Sequence, residues 1–172
     1  GVGVMDYVQQ IKQELSRYAD PVKKEFFPKY FKAAPGDYGE GDRFMGVTVP
    51  NQRKVAKQYY REITLEEVIK LLQDPIHECR LTALFIMVNK YERSKEEAEK
   101  EEIVQCYLDN LSFVNNWDLV DSSAYKLLGP HLEHRDRQLL YRLAESRDLW
   151  QQRIAIITTL HFVRNNDFDD TL

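Results

Sequence analysis

Three observations predict an all-α fold. Turn residues are scarce, nearly every long segment repeats its apolar residues with a helical period, and helix-start signals recur at regular intervals. The 172 residues include 7 Gly and 6 Pro, where average usage would place about 20. That shortage excludes sandwiches, barrels and propellers with many hairpins. Hydrophobic residues at 43% and charged residues at 30% exclude a disordered chain and a membrane-spanning one. The longest apolar run, Leu81 to Val88, is too short to cross a bilayer. No basic start followed by an apolar core reads as a signal peptide. Cys79 and Cys106 lie far apart among apolar residues without a CxxC. They read as buried thiols of a cytoplasmic, reducing compartment.

The elements follow in order. Val4, Val8, Ile11, Leu15 and Tyr18 step by four and three, one inward stripe of a first helix. A short helix after Pro21 is expected to break near Pro28. Ala34 to Val49 has no period and holds four of the seven glycines. It is a loop, and loops of this length are usually functional or disordered. Pro50 opens a helix to about Arg61. Thr64 with Glu67 forms a capping box for Leu65 to Gln73. Asp74-Pro75 supplies an N-cap and an N1 proline for a helix to about Tyr91. Ser94 with Glu97 is a second capping box, for a helix to about Leu111. Asn116 caps a helix that stops at Gly129-Pro130. His134 to Ser146 is amphipathic, and Asp148 caps a helix ending near Asn165-Asn166. Asp167 or Asp169 reads as the cap of a helix that is not completed.

Three of these helices start alike, with His77, Trp117 and Trp150 in the same place at spacings of 40 and 33 residues. Each is the second member of a helix pair. Such a period fits a HEAT-like helical-repeat solenoid, here a single domain over residues 1–172. In that architecture the second helices line one concave surface, and Arg80, Asp121 and Arg153 project near their starts.

The formal net charge of −4 argues against nucleic acid only at first sight. Residues 92–102 carry a net −3 and the last six residues another −3, so the rest of the chain stands at +2. The 92–102 run reads as a solvated helix face, with a partner-binding acidic patch as the competing reading. Arg53, Lys54 and Lys57 share one short helix directly after the Gly-rich loop with its Arg43. This patch suits a nucleic-acid backbone, and ordinary surface charge is the competing reading.

Trp117 and Asp121 are four residues apart, on one helix face. A flat apolar ring beside a fixed carboxylate can hold a sugar and stabilise a positive transition state. The competing reading is a core Trp beside an ion-paired Asp. Asp118, Asp121, Ser122 and Ser123 tilt the balance, because polar groups in a central helix require a reason. Arg153 suits two jobs equally, gripping a phosphate or pairing with a neighbouring repeat at Asp121. His131 and His134 have no third ligand near in sequence, so no metal site is expected. His77-Glu78 lacks the second His of HExxH, and GxGxxG, GxxxxGK[ST] and GxSxG are absent.

FMGVTVPNQRKVAK, DPIHECRLTAL, NNWDLVDSSA, LWQQRIAI and FVRNNDFDDTL, in this order, resemble the HEAT-repeat DNA alkylation repair family, the AlkD-type glycosylases, from about Tyr30 to Leu172. The resemblance implies a concave basic face on duplex DNA containing alkylated purines, and hydrolysis of the N-glycosidic bond of N3- and N7-alkylated purines. Lesions would be read from the backbone side without pocketing a flipped base. By position, Asp121 and Trp117 would be the catalytic residues, Asp121 near the sugar C1′ and Trp117 on the deoxyribose. Arg153 would hold the backbone, with Arg43, Arg53 and Lys54 as further DNA contacts. No cofactor, metal or membrane is implied. Family chains continue through further helices, one bearing another Trp, so the cleft is expected to be incomplete and the last helix pair uncapped. A non-catalytic DNA-structure-binding or protein-scaffold repeat module is the alternative.

Overall fold

The computed structural model describes residues 6–133 and 135–164. Val4, His134, Asn165, Asn166, Asp167 and Asp169 lie outside them, and so do the expectations attached to them. The described residues are all-helical apart from an isolated bridge between Arg43 and Ile76. The chain divides into two compact units, residues 1–90 and 91–172.

In the first unit α1 (Tyr7–Ser16) buries Ile11 and Leu15, as the stripe requires, and packs against α3 (Val49–Tyr59) and α4 (Leu65–Leu72). Thr64 closes the expected capping box on Glu67. Lys12 reaches Asp74 at 2.7 Å. α2 (Pro21–Tyr30) does not break at Pro28. The proline removes one helical hydrogen bond, but α2 buries no residue. Pro28 is the eighth of the ten residues, so the bond it removes falls in the last turns of an element with no buried residue to hold in register. α5 (His77–Arg93) begins later than Asp74-Pro75 suggests. Asp74 caps a turn by accepting from the Ile76 N–H, and Ile76 is held in the bridge to Arg43.

The Gly-rich loop lies on the first turn of α5. The buried Glu78 carboxylate accepts the N–H groups of Met45, Gly46 and Val47 at 2.9, 2.7 and 2.9 Å. Gly46 sits at φ +87°, and a Cβ there would lie 2.3 Å from the Asp20 carbonyl oxygen. No other residue type fits this contact. Asp42 bonds His77 Nδ1 at 2.5 Å and the Arg80 guanidinium at 2.7 Å, and the His77 ring stacks on Phe44. Burial pushes the Asp42 carboxyl up, but His77 and Arg80 more than offset this, and its pKa falls below the usual 3.8. A depressed carboxyl contributes stability that is present above its unfolded value and lost as pH falls through its folded one. Asp42→Asn is therefore expected to flatten the acid limb of the stability curve below pH 3.8. Urea midpoints across that range check this. A variant curve as steep as the parent's would remove Asp42 from the account.

In the second unit α6 (Glu97–Asp109) starts without the Ser94–Glu97 capping box. Ser94 instead exchanges hydrogen bonds with the backbone of Glu96, and Arg135 bonds both Glu97 and Glu101. Asn116 caps a helix as expected, but that helix, α7 (Trp117–Asp121), is only five residues long. α8 (Ala124–Leu132) follows and runs through Gly129-Pro130. The break falls at Ser122-Ser123. The Ser123 hydroxyl donates to the Leu119 carbonyl at 2.6 Å, so Tyr107 Oη, 2.8 Å away, donates to Ser123. This side-chain bonding competes with helix continuation.

α9 (Gln138–Glu145) and α10 (Leu149–Arg164) pack together, and α10 also contacts α7 and α8. Asp148 caps α10 through the Trp150 and Gln151 N–H groups. Gly129 of α8 is pressed against the His161 ring, where a Cβ would come within 2.6 Å. On the outer side Tyr141, Ile156, Leu160 and Val163 stay exposed. Cys79 is buried and its thiol pKa is pushed up to about 12 by desolvation. Cys106 is only half-buried, contrary to expectation, because it falls between the inward Ile103, Val104 and Tyr107 and the exposed face of α6.

Candidate functional site

α7 brings the sequence candidates of the second unit together. The Asn116 carboxamide accepts the Trp117 N–H at 2.8 Å and fixes the start of the helix. Trp117 and Asp121 then fall one turn apart on the same side, both half-buried. Leu119 and Val120 turn into the core. The helix is therefore anchored on its inner side and leaves ring and carboxylate accessible on the other. Ser123 and Tyr107 fix its far end.

Arg153 comes from the second turn of α10. Its guanidinium meets Asp121 in a bidentate pair, Nε at 2.8 Å and Nη2 at 2.6 Å, one bond to each carboxylate oxygen. The side chains are 40% exposed for Arg153 and 31% for Asp121, so the pair faces solvent. Of the two tasks open to Arg153, the structure shows the ion pair. Both oxygens of Asp121 are engaged and its charge is compensated. Trp150 is half-buried near the start of α10, two residues after the capping Asp148, whereas Trp117 directly follows its cap Asn116.

The remaining candidates belong to the first unit. Arg53, Lys54 and Lys57 are exposed on α3, and Arg43 is exposed in the loop. The Arg53 guanidinium lies 4.3 Å over the Phe85 ring, and the Lys54 ammonium 5.8 Å over that of Tyr18. These contacts steer both cations without neutralising them. Arg43 is placed through its backbone, since its carbonyl accepts the His77 N–H at 2.7 Å. Among the described residues no group of three or more His, Cys, Asp or Glu side chains is arranged to hold a metal. No helix of the described residues is long and apolar enough to cross a membrane.

A family model described as DNA alkylation repair enzyme matches residues 11–172. The chain belongs to that family. A comparison with proteins of curated function finds no match. For a DNA alkylation repair family member the substrate is DNA, which is consistent with the exposed cations on α3.

Sequence reasoning missed the positioning role of Asp42, His77 and Glu78, which fix the loop that carries Arg43. In the sequence His77 serves as a repeat marker and His77-Glu78 as a failed metal motif, and neither reading points to the loop. The usable signal is a carboxylate at the second position of a helix whose middle is apolar from Leu81 to Val88 apart from Thr82, preceded by a stretch with four glycines. Such a stretch presents backbone N–H groups that need an acceptor.

Proposed function

We propose that this protein is an AlkD-type DNA glycosylase, one HEAT-like repeat array that hydrolyses the N-glycosidic bond of N3- and N7-alkylated purines in duplex DNA. The observation that carries this reading is the pairing of Trp117 and Asp121 on α7, within reach of Arg153. An alkylated purine is cationic, and the C1′–N bond breaks with its electron pair leaving on the base, which becomes neutral. Positive charge moves to the sugar, and water adds at C1′ and gives up a proton. The Trp117 ring packs on the deoxyribose. The Asp121 carboxylate faces the developing oxocarbenium ion and orients the water. Arg153, Arg43, Arg53 and Lys54 contact phosphates. No flipped-base pocket is required, because the lesion is read from the backbone side.

The bidentate Arg153–Asp121 pair favours a second reading, a DNA-binding module without chemistry, because a compensated carboxylate stabilises a cation poorly. Release of N7-methylguanine from a methylated duplex decides between them. We expect release, together with duplex affinity that falls linearly in log–log form as salt rises. Absence of release defeats the glycosylase reading, and salt-insensitive binding would favour a protein scaffold.

A further inference from the structure

The Arg153–Asp121 pair has a geometry that a DNA backbone can replace. A phosphate offers a guanidinium the same two-oxygen face as a carboxylate, with at least as much charge. The pair is partly exposed, so a phosphate can approach it without unfolding α7 or α10. Asp121 is not otherwise tied to Arg153, since the two side chains come from different helices, 32 residues apart in sequence. We propose that this pair is an exchangeable lock: a backbone phosphate takes Arg153 from Asp121, and the carboxylate regains its charge only when duplex DNA is seated. The proposal rests on the reading of Asp121 as the residue that faces the sugar. It adds that binding and activation are the same ion exchange. Away from DNA the carboxylate stays compensated, and no isolated negative charge repels the approaching backbone.

The test is binding of an unmodified duplex, which requires no excision, to the parent chain, Asp121→Asn, Arg153→Ala and the double variant. Freeing Arg153 from its competitor should tighten binding in Asp121→Asn by about two- to fivefold, the range expected for opening a partly exposed ion pair. In the Arg153→Ala background the same substitution should change affinity by less than about half that factor. An equal gain in both backgrounds would mean that Asp121 acts only by general repulsion and would overturn the lock, as would no gain at all. The Arg153 Nε–H resonance of the parent chain supplies a second measurement free of substitutions. It should move on adding duplex, and an unmoved signal at saturation also overturns the proposal. Failure of the glycosylase reading looks different, since it would appear as absent base release with the binding cycle unaffected.

Discussion

Asp121→Asn is expected to abolish release of N7-methylguanine, lowering the single-turnover rate by about a hundred- to a thousandfold, while duplex affinity does not fall. The amide keeps the size of the side chain and an oxygen that can still accept from Arg153, so α7 and α10 retain their packing. What disappears is the negative charge that would face the sugar once the base begins to leave. An electrostatic group aimed at developing charge acts on the transition state far more than on the bound substrate, so the loss belongs in the rate and not in binding. Single-turnover excision and equilibrium binding on the same methylated duplex separate the two. If affinity collapses in parallel with the rate, Asp121 holds the structure and carries no chemistry.

The largest stability effect is expected at Glu78. Its carboxylate accepts three backbone N–H groups of the loop in a buried site. Glu78→Ala leaves these donors without an acceptor or room for water to serve all of them. The expected loss is about 3–5 kcal/mol of unfolding free energy, a large part of what a domain of this size possesses. Glu78→Gln should cost less, because its oxygen can still serve Gly46 and Val47 while its amide opposes the Met45 N–H. Urea denaturation of both variants measures this. A loss under about 1 kcal/mol in Glu78→Ala would show that Asp42, His77 and Arg80 hold the loop without it.

The sequence carries these features to different depths. Signals that act within one turn were readable. The Thr64–Glu67 box and the Asp148 cap form where the residues place them. Asn116 caps its helix as well, but the length of that helix was not readable. The break at Ser123 depends on Tyr107, sixteen residues earlier. Ser94 has the residues of a capping box and does not form it, since the helix starts at Glu97 with Glu96 at the cap, which puts Glu97 in the first helical position and not the third. Pro28 reads as a stop, but it lies near the end of a helix that buries no residue, where a lost bond and a slight bend disturb no packing. The anchoring of the Gly-rich loop spans more than thirty residues and leaves no trace in any periodicity. The candidate site was half legible. Spacing puts Trp117 and Asp121 on one face, and of the two partners the sequence leaves open to Arg153 the structure shows Asp121.

A helix as short as α7 contributes almost no order of its own, because the cost of the first turn is scarcely recovered in five residues. Trp117 and Asp121 therefore stand on borrowed rigidity, lent by the Asn116 cap, by buried Leu119 and Val120, and by the Tyr107–Ser123 bond. In amide exchange such a segment opens with the free energy of its surroundings and not of its own ladder. The placement of Trp117 and Asp121 is thus set from within the core of the second unit, at residues outside the candidate site.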